Sequence, residues 1–276
     1  MNLWPQRRTC TSSINRKQIL TSSVLSYVAR SVLFFSFCQK VRHIVITKGL
    51  IFVDMTIDGS LAALGIKSVV IGIARNVNPQ APFSDAFLTK REKMEKWALS
   101  CDIDALLDHP IIKGYTDLLQ SVGRSVKRNP PTVPALIQNT RHRGSLPHIN
   151  SIIDIYNVEA LHSLLAIGGH DLDKVHGSIE FTVSGNEDSF LPILSKEKHV
   201  AKTDYIYRDA KGIMAWLDIR DGENYKFSNE TKNAIFIIQG NANTSVEIRL
   251  EALERIRYDL AGSMPDMEFD THVIYA

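Results

Sequence analysis

The sequence contains few cysteines, and none of them lie close together. Cys10, Cys38 and Cys101 are the three in the chain, and no CxxC motif joins any two of them. This spacing excludes a disulfide framework and a zinc site built on paired thiolates. Because such a chain suits a reducing compartment, we expect a cytoplasmic protein.

Acidic residues are missing from residues 1–53, which contain eight Lys or Arg. An acid-free leader rich in Ser and Arg is typical of transit peptides, which makes a mitochondrial location the alternative. We favour a disordered extension over 1–54, or upstream sequence translated from a start codon placed too early, because Met55 opens an ordinary domain start. We therefore expect a single domain at 55–262 and a C-terminal tail at 263–276.

Long hydrophobic runs are also absent. The apolar run at 32–38 is far shorter than the roughly 20 residues of a membrane-spanning helix, so we expect no membrane partner. From Asp54 onward the chain has 24 basic against 30 acidic residues. Since this part has no overall positive charge, any contact with nucleic acid must use a local basic patch.

Several common catalytic signatures are missing. The chain has no GxSxG, GxxxxGK[ST], GxGxxG or HExxH motif, which argues against the hydrolase, nucleotide-binding and zinc-protease classes that carry them. His170, Asp171, Asp173 and His176 lie close together, but their spacing fits no standard metal site. We read them as turn and helix-cap residues, and expect neither a metal nor another cofactor.

The most informative stretch that is present runs from Arg141 to Asp173. Apolar residues recur there at helical spacing after Asn150, which is a suitable N-cap. Asn150, Asp154 and Asn157 form a polar stripe on the same helix. Short polar side chains compete for backbone hydrogen bonds inside a helix, so this stripe calls for a functional reason. Gly168-Gly169 is the expected end of the helix.

The remaining pattern predicts an α+β domain. The expected helices are 89–107, 111–126, a short one from 132 and 246–260, and the expected strands are 68–74, 179–183, 204–208, 213–219 and 234–238. A local basic cluster, which includes Lys127, Arg141 and Arg143, lies before the Asn150 helix. Such a cluster can hold RNA phosphates, although a solvated connector is the commoner meaning of a short charge run.

Three separated stretches carry a resemblance: LPHINSIIDIYNVEAL, then GGHDLDKV, then WLDIRDGENYKFSNETKNAIFII. Together they resemble the tRNA-binding and editing (B3/B4) domain of the bacterial phenylalanyl-tRNA synthetase beta subunit, in its stand-alone form. The Asn-x-x-Val-Asp-x-x-Asn pattern of that family is matched from Asn150 to Asn157. Its later Asp is matched by Asp171, and its Gly-Glu by Gly222-Glu223. The resemblance covers 55–260 and is strongest over 130–238.

The resemblance implies a three-layer α+β sandwich with mixed, mostly antiparallel sheets and flanking helices. It also implies a pocket in which the ester of mischarged tRNA is hydrolysed, with Glu223 and His170 as candidate catalytic residues. The substrate-binding residues it implies are Asn150, Asp154, Asn157, Asp171 and Thr231. The RNA-binding candidates are Arg141, Arg143 and Lys127. The implied partner is tRNA or aminoacyl-tRNA, with no DNA, and the chain is expected to be a monomer.

The sequence departs from the family at one place. The synthetase has Gln-Pro-x-His before its Asp, whereas this chain has Leu165, Ala166, Ile167 and Gly168, with His170 two residues later. The chain also lacks an aminoacylation core, so it is not a complete ligase. Three hypotheses remain open: a deacylase of mischarged tRNA acting in trans, a non-catalytic RNA binder, and a binder of free amino acids.

Overall fold

The β-branched run that begins at Ser68 forms the centre of a sheet in the computed structural model. The structure describes residues 43–48, 51–185 and 188–276. The strands are β1 (His43–Lys48), β2 (Ile51–Ile57), β3 (Ser68–Arg75), β4 (Gly168–Asp171), β5 (Ile179–Val183), β6 (Ser189–Phe190), β7 (Lys198–His199), β8 (Tyr205–Arg208), β9 (Ile213–Trp216), β10 (Arg220–Asp221), β11 (Asn233–Ile238) and β12 (Glu268–Tyr275). The helices are α1 (Gly59–Ala63), α2 (Asp85–Ser100), α3 (Ile103–Leu107), α4 (Pro110–Ser121), α5 (Thr132–Arg143), α6 (Ser151–Ser163) and α7 (Val246–Ser263), with 3₁₀ turns at Leu172–Lys174 and Glu223–Tyr225.

Two sheets organise the domain. The inner sheet has the order β12-β3-β11-β4 and is antiparallel throughout, and the outer sheet has the order β1-β2-β5-β8-β9-β10. In the outer sheet only β2 and β5 pair in parallel. Strands β6 and β7 form a separate short hairpin. The sheets are therefore mixed and mostly antiparallel, as predicted.

The inner sheet is buried on both faces, which explains why β3 reads as a continuous apolar run. Val69, Ile71 and Ile73 face a core shared with the outer sheet. Val70 and Ala74 point the other way, into a second core shared with the helices. Because side chains alternate along a strand, β3 serves both cores at once. The result is the predicted three-layer α+β sandwich: outer sheet, inner sheet and helices.

Helix α6 begins as expected and ends differently. The Asn150 side chain accepts a hydrogen bond from the Ile153 N–H at 2.9 Å, which confirms it as the N-cap. The predicted stop at Gly168-Gly169 is wrong, because the helix ends at Ser163 and Leu164 turns the chain with a φ of 62°. The two glycines instead form the start of strand β4. The predicted helix 89–107 is also divided, because Asp102 caps a new helix, α3.

The structure differs from the expected domain limits at both ends. Strand β2 begins at Ile51, before Met55, and pairs with β5 in the outer sheet. At the other end, strand β12 pairs with β3 along its whole length where we expected a tail. The prediction for the leader, 1–42, lies outside the described residues. In the described part of the chain, no helix is both long enough and apolar enough to cross a membrane.

Candidate functional site

A small cavity lies where strand β4 meets the end of the outer sheet. Its volume is about 40 Å³, and liquid water takes up about 30 Å³ per molecule, so it has room for roughly one water. It is lined by Thr132, Ala166, Ile167, Gly168, Tyr207, Ala215, Asp218, Ile219 and Asp221. The polar side chains in this wall make it the best candidate for chemistry.

Gly168 makes room for the cavity. A Cβ at this position would lie 2.4 Å from the Tyr207 Oη, 3.5 Å from the His170 Nε2 and 3.7 Å from the Asp221 Oδ1. Any other residue would therefore displace the tyrosine ring and fill the space. The absence of a side chain at 168 brings three polar groups around one point.

His170 supports the cavity from within the protein. Its side chain is fully buried, and the Nε2 lies 2.6 Å from the Tyr207 Oη and 3.8 Å from the Asp221 Oδ1. Burial lowers the pKa of His170 to about 3, so the imidazole is neutral at physiological pH. The Nδ1 is buried and has no hydrogen-bond partner among the residues that the structure describes. A neutral ring in this position can hold Tyr207 in place.

Two carboxyl groups of the cavity have unusual pKa values. Burial raises the pKa of Asp218 to about 7, although the Gln239 side chain donates a hydrogen bond to its Oδ1. Burial and the nearby charge of Asp218 raise the pKa of Asp221 to about 7. The Asp218 Oδ2 is buried and accepts no hydrogen bond within the described part of the chain, and the Asp221 side chain is 27% exposed. Both carboxyls can therefore gain or lose a proton near neutral pH.

The backbone that carries Asp218 is strained. Leu217 and Asp218 have φ values of 58° and 53°, in the left-handed region that a leucine rarely adopts. Their surroundings enforce this conformation: the Tyr205 hydroxyl donates to the Leu217 carbonyl at 2.8 Å, and the Thr132 hydroxyl donates to the Asp218 carbonyl. Strain of this kind concentrates at functional sites. It turns the Asp218 side chain towards the cavity.

The structure does not bring the two predicted catalytic residues together. His170 lies beside the cavity, but Glu223 is at the surface, where it pairs with Lys226 and accepts from the Leu194 N–H at 3.3 Å. The hydrogen bond from Lys226 lowers the pKa of Glu223. Among the described residues, no hydrogen bond or ion pair joins Glu223 to His170.

The five predicted substrate-binding residues do not form one site but lie in separate contacts. Asp171 accepts from the Thr231 hydroxyl at 2.7 Å, and both side chains are buried in this pair. Asp154 is buried against His148, Asn150 caps helix α6, and Asn157 is half-buried on the same helix. None of these five residues belongs to the cavity wall.

Comparison with known proteins places the chain in a family. The model of the B3/4 domain matches residues 114–260, more than half of the chain. The chain belongs to the B3/4 domain family. The phenylalanine–tRNA ligase beta subunit of Mycoplasma pneumoniae is 26% identical over 112 residues, covering 41% of this chain and 13% of that protein. An N-terminal fragment of the phenylalanyl-tRNA synthetase β-subunit from Pyrococcus horikoshii matches 82% of this chain and 53% of its own, with 13% identity and a TM-score of 0.42.

This B3/4 domain thus spans only a small part of the ligase subunit that it matches. The basic residues predicted for RNA binding are exposed at Lys127, Arg141 and Arg143, in the loop before α5 and at its end. Arg141 is also structural, because its guanidinium donates to the carbonyl groups of Ala98 and Cys101. The charged side chains of the other two residues are exposed.

Sequence reasoning missed the polar residues that distinguish the cavity of this B3/4 domain: Tyr207, Asp218 and Asp221. In the sequence Tyr207 falls inside the expected strand 204–208, and Asp221 follows the expected strand 213–219 as part of no recognised catalytic motif. A usable signal was the pair of acidic residues in the sequence LDIRD, directly after a buried strand. In the structure β10, which carries Asp221, lies against β4 and so reaches Gly168 and His170.

Proposed function

We propose that this protein binds the aminoacylated 3′ end of a tRNA and hydrolyses the ester in trans, with Asp221 as the general base. The observation that carries this proposal is a carboxyl group with a pKa of about 7, beside a cavity that has room for one water. General bases work best when their pKa lies near the operating pH. The ester class is inferred from membership of the B3/4 family and the likeness to a tRNA ligase subunit.

The reaction needs one proton acceptor and one nucleophile. Asp221 takes a proton from water as the water oxygen attacks the ester carbonyl, and a tetrahedral intermediate forms. When the bond to the ribose oxygen breaks, Asp221 returns its proton to that oxygen, which leaves a free amino acid and uncharged tRNA. Burial, and after it the charge of Asp218, keeps the pKa of Asp221 high, and the hydrogen bond from Gln239 helps hold Asp218 in place.

His170 has a positioning role in this proposal. Because its ring is neutral and buried, it neither titrates near pH 7 nor reaches bulk solvent. Its hydrogen bond holds the Tyr207 hydroxyl in the space beside Gly168. This assignment replaces a direct role of His170 in proton transfer.

A panel of aminoacyl-tRNAs tests the proposal. The full chain should release amino acid from at least one mischarged tRNA faster than buffer does, and Asp221→Asn should lower that rate about 100-fold. Glu223→Gln is the matched control, because Glu223 is a nearby acidic residue that lies outside the cavity wall. Hydrolysis no faster than buffer across the whole panel would refute the hydrolytic function.

A non-catalytic RNA binder is the second candidate, and the exposed charges of Lys127 and Arg143 favour it. Replacing both with alanine should weaken tRNA binding and reduce its salt dependence, because each lost phosphate contact removes about one released counterion. Binding of tRNA without ester hydrolysis would support this candidate over the first. Binding of free amino acids without any affinity for tRNA would support neither and would indicate a small-molecule binder.

A further inference from the structure

A second cleft, of about 450 Å³, lies at the start of helix α6. The residues of its wall that matter here are Gln80, Phe83, His148, Ile149, Asn150 and Asn229. Of the described residues, no Asp, Glu, Lys or Arg lines it, so it suits the neutral part of a ligand. Its volume lies in the usual range for small-molecule sites, about 300–1,000 Å³.

His148 presents a fixed hydrogen-bond acceptor to this cleft. Its Nδ1 lies 2.8 Å from the Asp154 Oδ2, and the other carboxylate oxygen accepts from the Ile149 N–H at 2.9 Å. Asp154 is 1% exposed, whereas the His148 side chain is 67% exposed. A carboxylate oxygen accepts, so the His148 Nδ1 carries the hydrogen, and in the tautomer that this contact selects the Nε2 is an acceptor. The buried carboxylate thus sets both the tautomer and the ring orientation.

Asn150 presents a fixed donor to the same cleft. Its Oδ1 is occupied by the N-cap hydrogen bond from the Ile153 N–H, which determines which end of the amide is free. In the described part of the chain, no residue accepts a hydrogen bond from the Nδ2 group of Asn150. The amides of Gln80 and Asn229 line the cleft as well. A ligand with a donor and an acceptor on one edge would match His148 and Asn150 together.

The cleft also has an aromatic and apolar side. The Phe83 ring lies edge-on to the His148 ring, with centroids 5.8 Å apart, and Ile149 is 60% exposed. The faces of such rings are stacking surfaces for planar ligands. A nucleobase is planar, is neutral and carries adjacent donors and acceptors on its edge. Unpaired bases of RNA are bound in this way, by stacking on aromatic rings and by hydrogen bonds to their edges.

We propose that the cleft binds one unpaired nucleobase of an RNA strand, with the base edge on His148 and Asn150 and its face against an aromatic ring. RNA as the source of the base rests on the proposed function. The recognition itself does not depend on ester hydrolysis, because none of these side chains belongs to the Asp221 cavity.

Fluorescence anisotropy with a short labelled oligoadenylate tests the site. The wild-type chain should bind it, and His148→Ala should weaken binding about tenfold, the scale of one lost base contact. His162→Ala is the matched control, because His162 is 46% exposed on helix α6, 3.7 Å from a glutamate, and lies outside the cleft. Binding by His148→Ala equal to that of the wild type would overturn the proposal.

A second readout uses no variant. Added adenosine should shift the His148 ring-proton signals in an NMR spectrum and leave those of His162 unchanged. Unshifted His148 signals at saturating oligoadenylate would overturn the proposal, as would the absence of any binding to either probe. The deacylation panel is independent of both readouts, so an inactive cleft and an inactive hydrolytic cavity can be told apart.

Discussion

Replacing Asp218 with asparagine should make the protein more stable at alkaline pH than the wild type. The Asp218 carboxyl has its pKa raised by burial from the usual 3.8 to about 7. The folded state therefore binds a proton that the unfolded chain releases between about pH 4 and pH 7, and stability falls as pH rises through that window. Asparagine tolerates the left-handed backbone at this position and cannot ionise.

The size of the effect follows from the pKa values. A difference of about three in pKa corresponds to about 4 kcal/mol. We expect a difference of about 2–4 kcal/mol in practice, because Asp218 is partly exposed and its ionisation also affects the ionisation of Asp221. The variant should match the wild type near pH 4 and exceed it by this amount at pH 8.

Urea unfolding followed by circular dichroism, at steps from pH 4 to pH 8, measures the difference. The difference between variant and wild type has to be used, because His170 acts in the opposite direction. Its folded pKa of about 3 lies below the usual 6.5, so its contribution is present above pH 6.5 and is lost as pH falls. Asp117→Asn, at a side chain 56% exposed, is the surface control and is measured over the same pH steps. An Asp218→Asn difference at pH 8 no larger than that of this control would refute the assignment.

Three further changes test other parts of the molecule. Gly168→Ala should destabilise the folded protein by about 1–3 kcal/mol and abolish hydrolysis, because the new Cβ would meet the Tyr207 hydroxyl. The control is Gly59→Ala, because a Cβ at position 59 would have nothing within 4 Å. It should keep wild-type stability in thermal unfolding and wild-type activity in the deacylation assay. Asp204→Ala should cost about 3–5 kcal/mol in urea unfolding, because it leaves Arg124 without its buried partner. Glu223→Gln should keep the deacylation rate within about twofold, since its surface ion pair with Lys226 contributes little to the stability of the fold. A large loss of rate would return Glu223 to the catalytic site.

Much of the fold could be predicted from local patterns. The β-branched run of β3, the N-cap of α6 and the apolar stripe of α7 depend on neighbours in the sequence, so periodicity and capping rules identify them. Strand β12 could not be found in this way. Its sequence EFDTHVIY has a weak apolar pattern, and its strand conformation depends on pairing with β3. The end of α6 was missed because Leu164, rather than a glycine, adopts the left-handed turn.

The candidate site was predicted only in part. The sequence draws attention to His170 and to the departure at Gly168, but their partners in the structure come from β8, from β10 and from the loop after β9. Nothing in the local sequence of Asp218 or Asp221 indicates how deeply either carboxyl is buried. That burial decides their pKa values, and it arises only when the outer sheet closes against β4.

The two glycines of β4 have a consequence for how the sequence can vary. A Cβ at Gly168 would meet Tyr207 on one side of the strand, and a Cβ at Gly169 would meet the ring of Tyr156, at 2.7 Å, on the other. At this point the backbone of β4 alone separates the side chains of Tyr207 and Tyr156. A side chain can be introduced at 168 or 169 only if the facing ring becomes smaller at the same time. Positions 168 and 207 should therefore covary among related chains, as should 169 and 156.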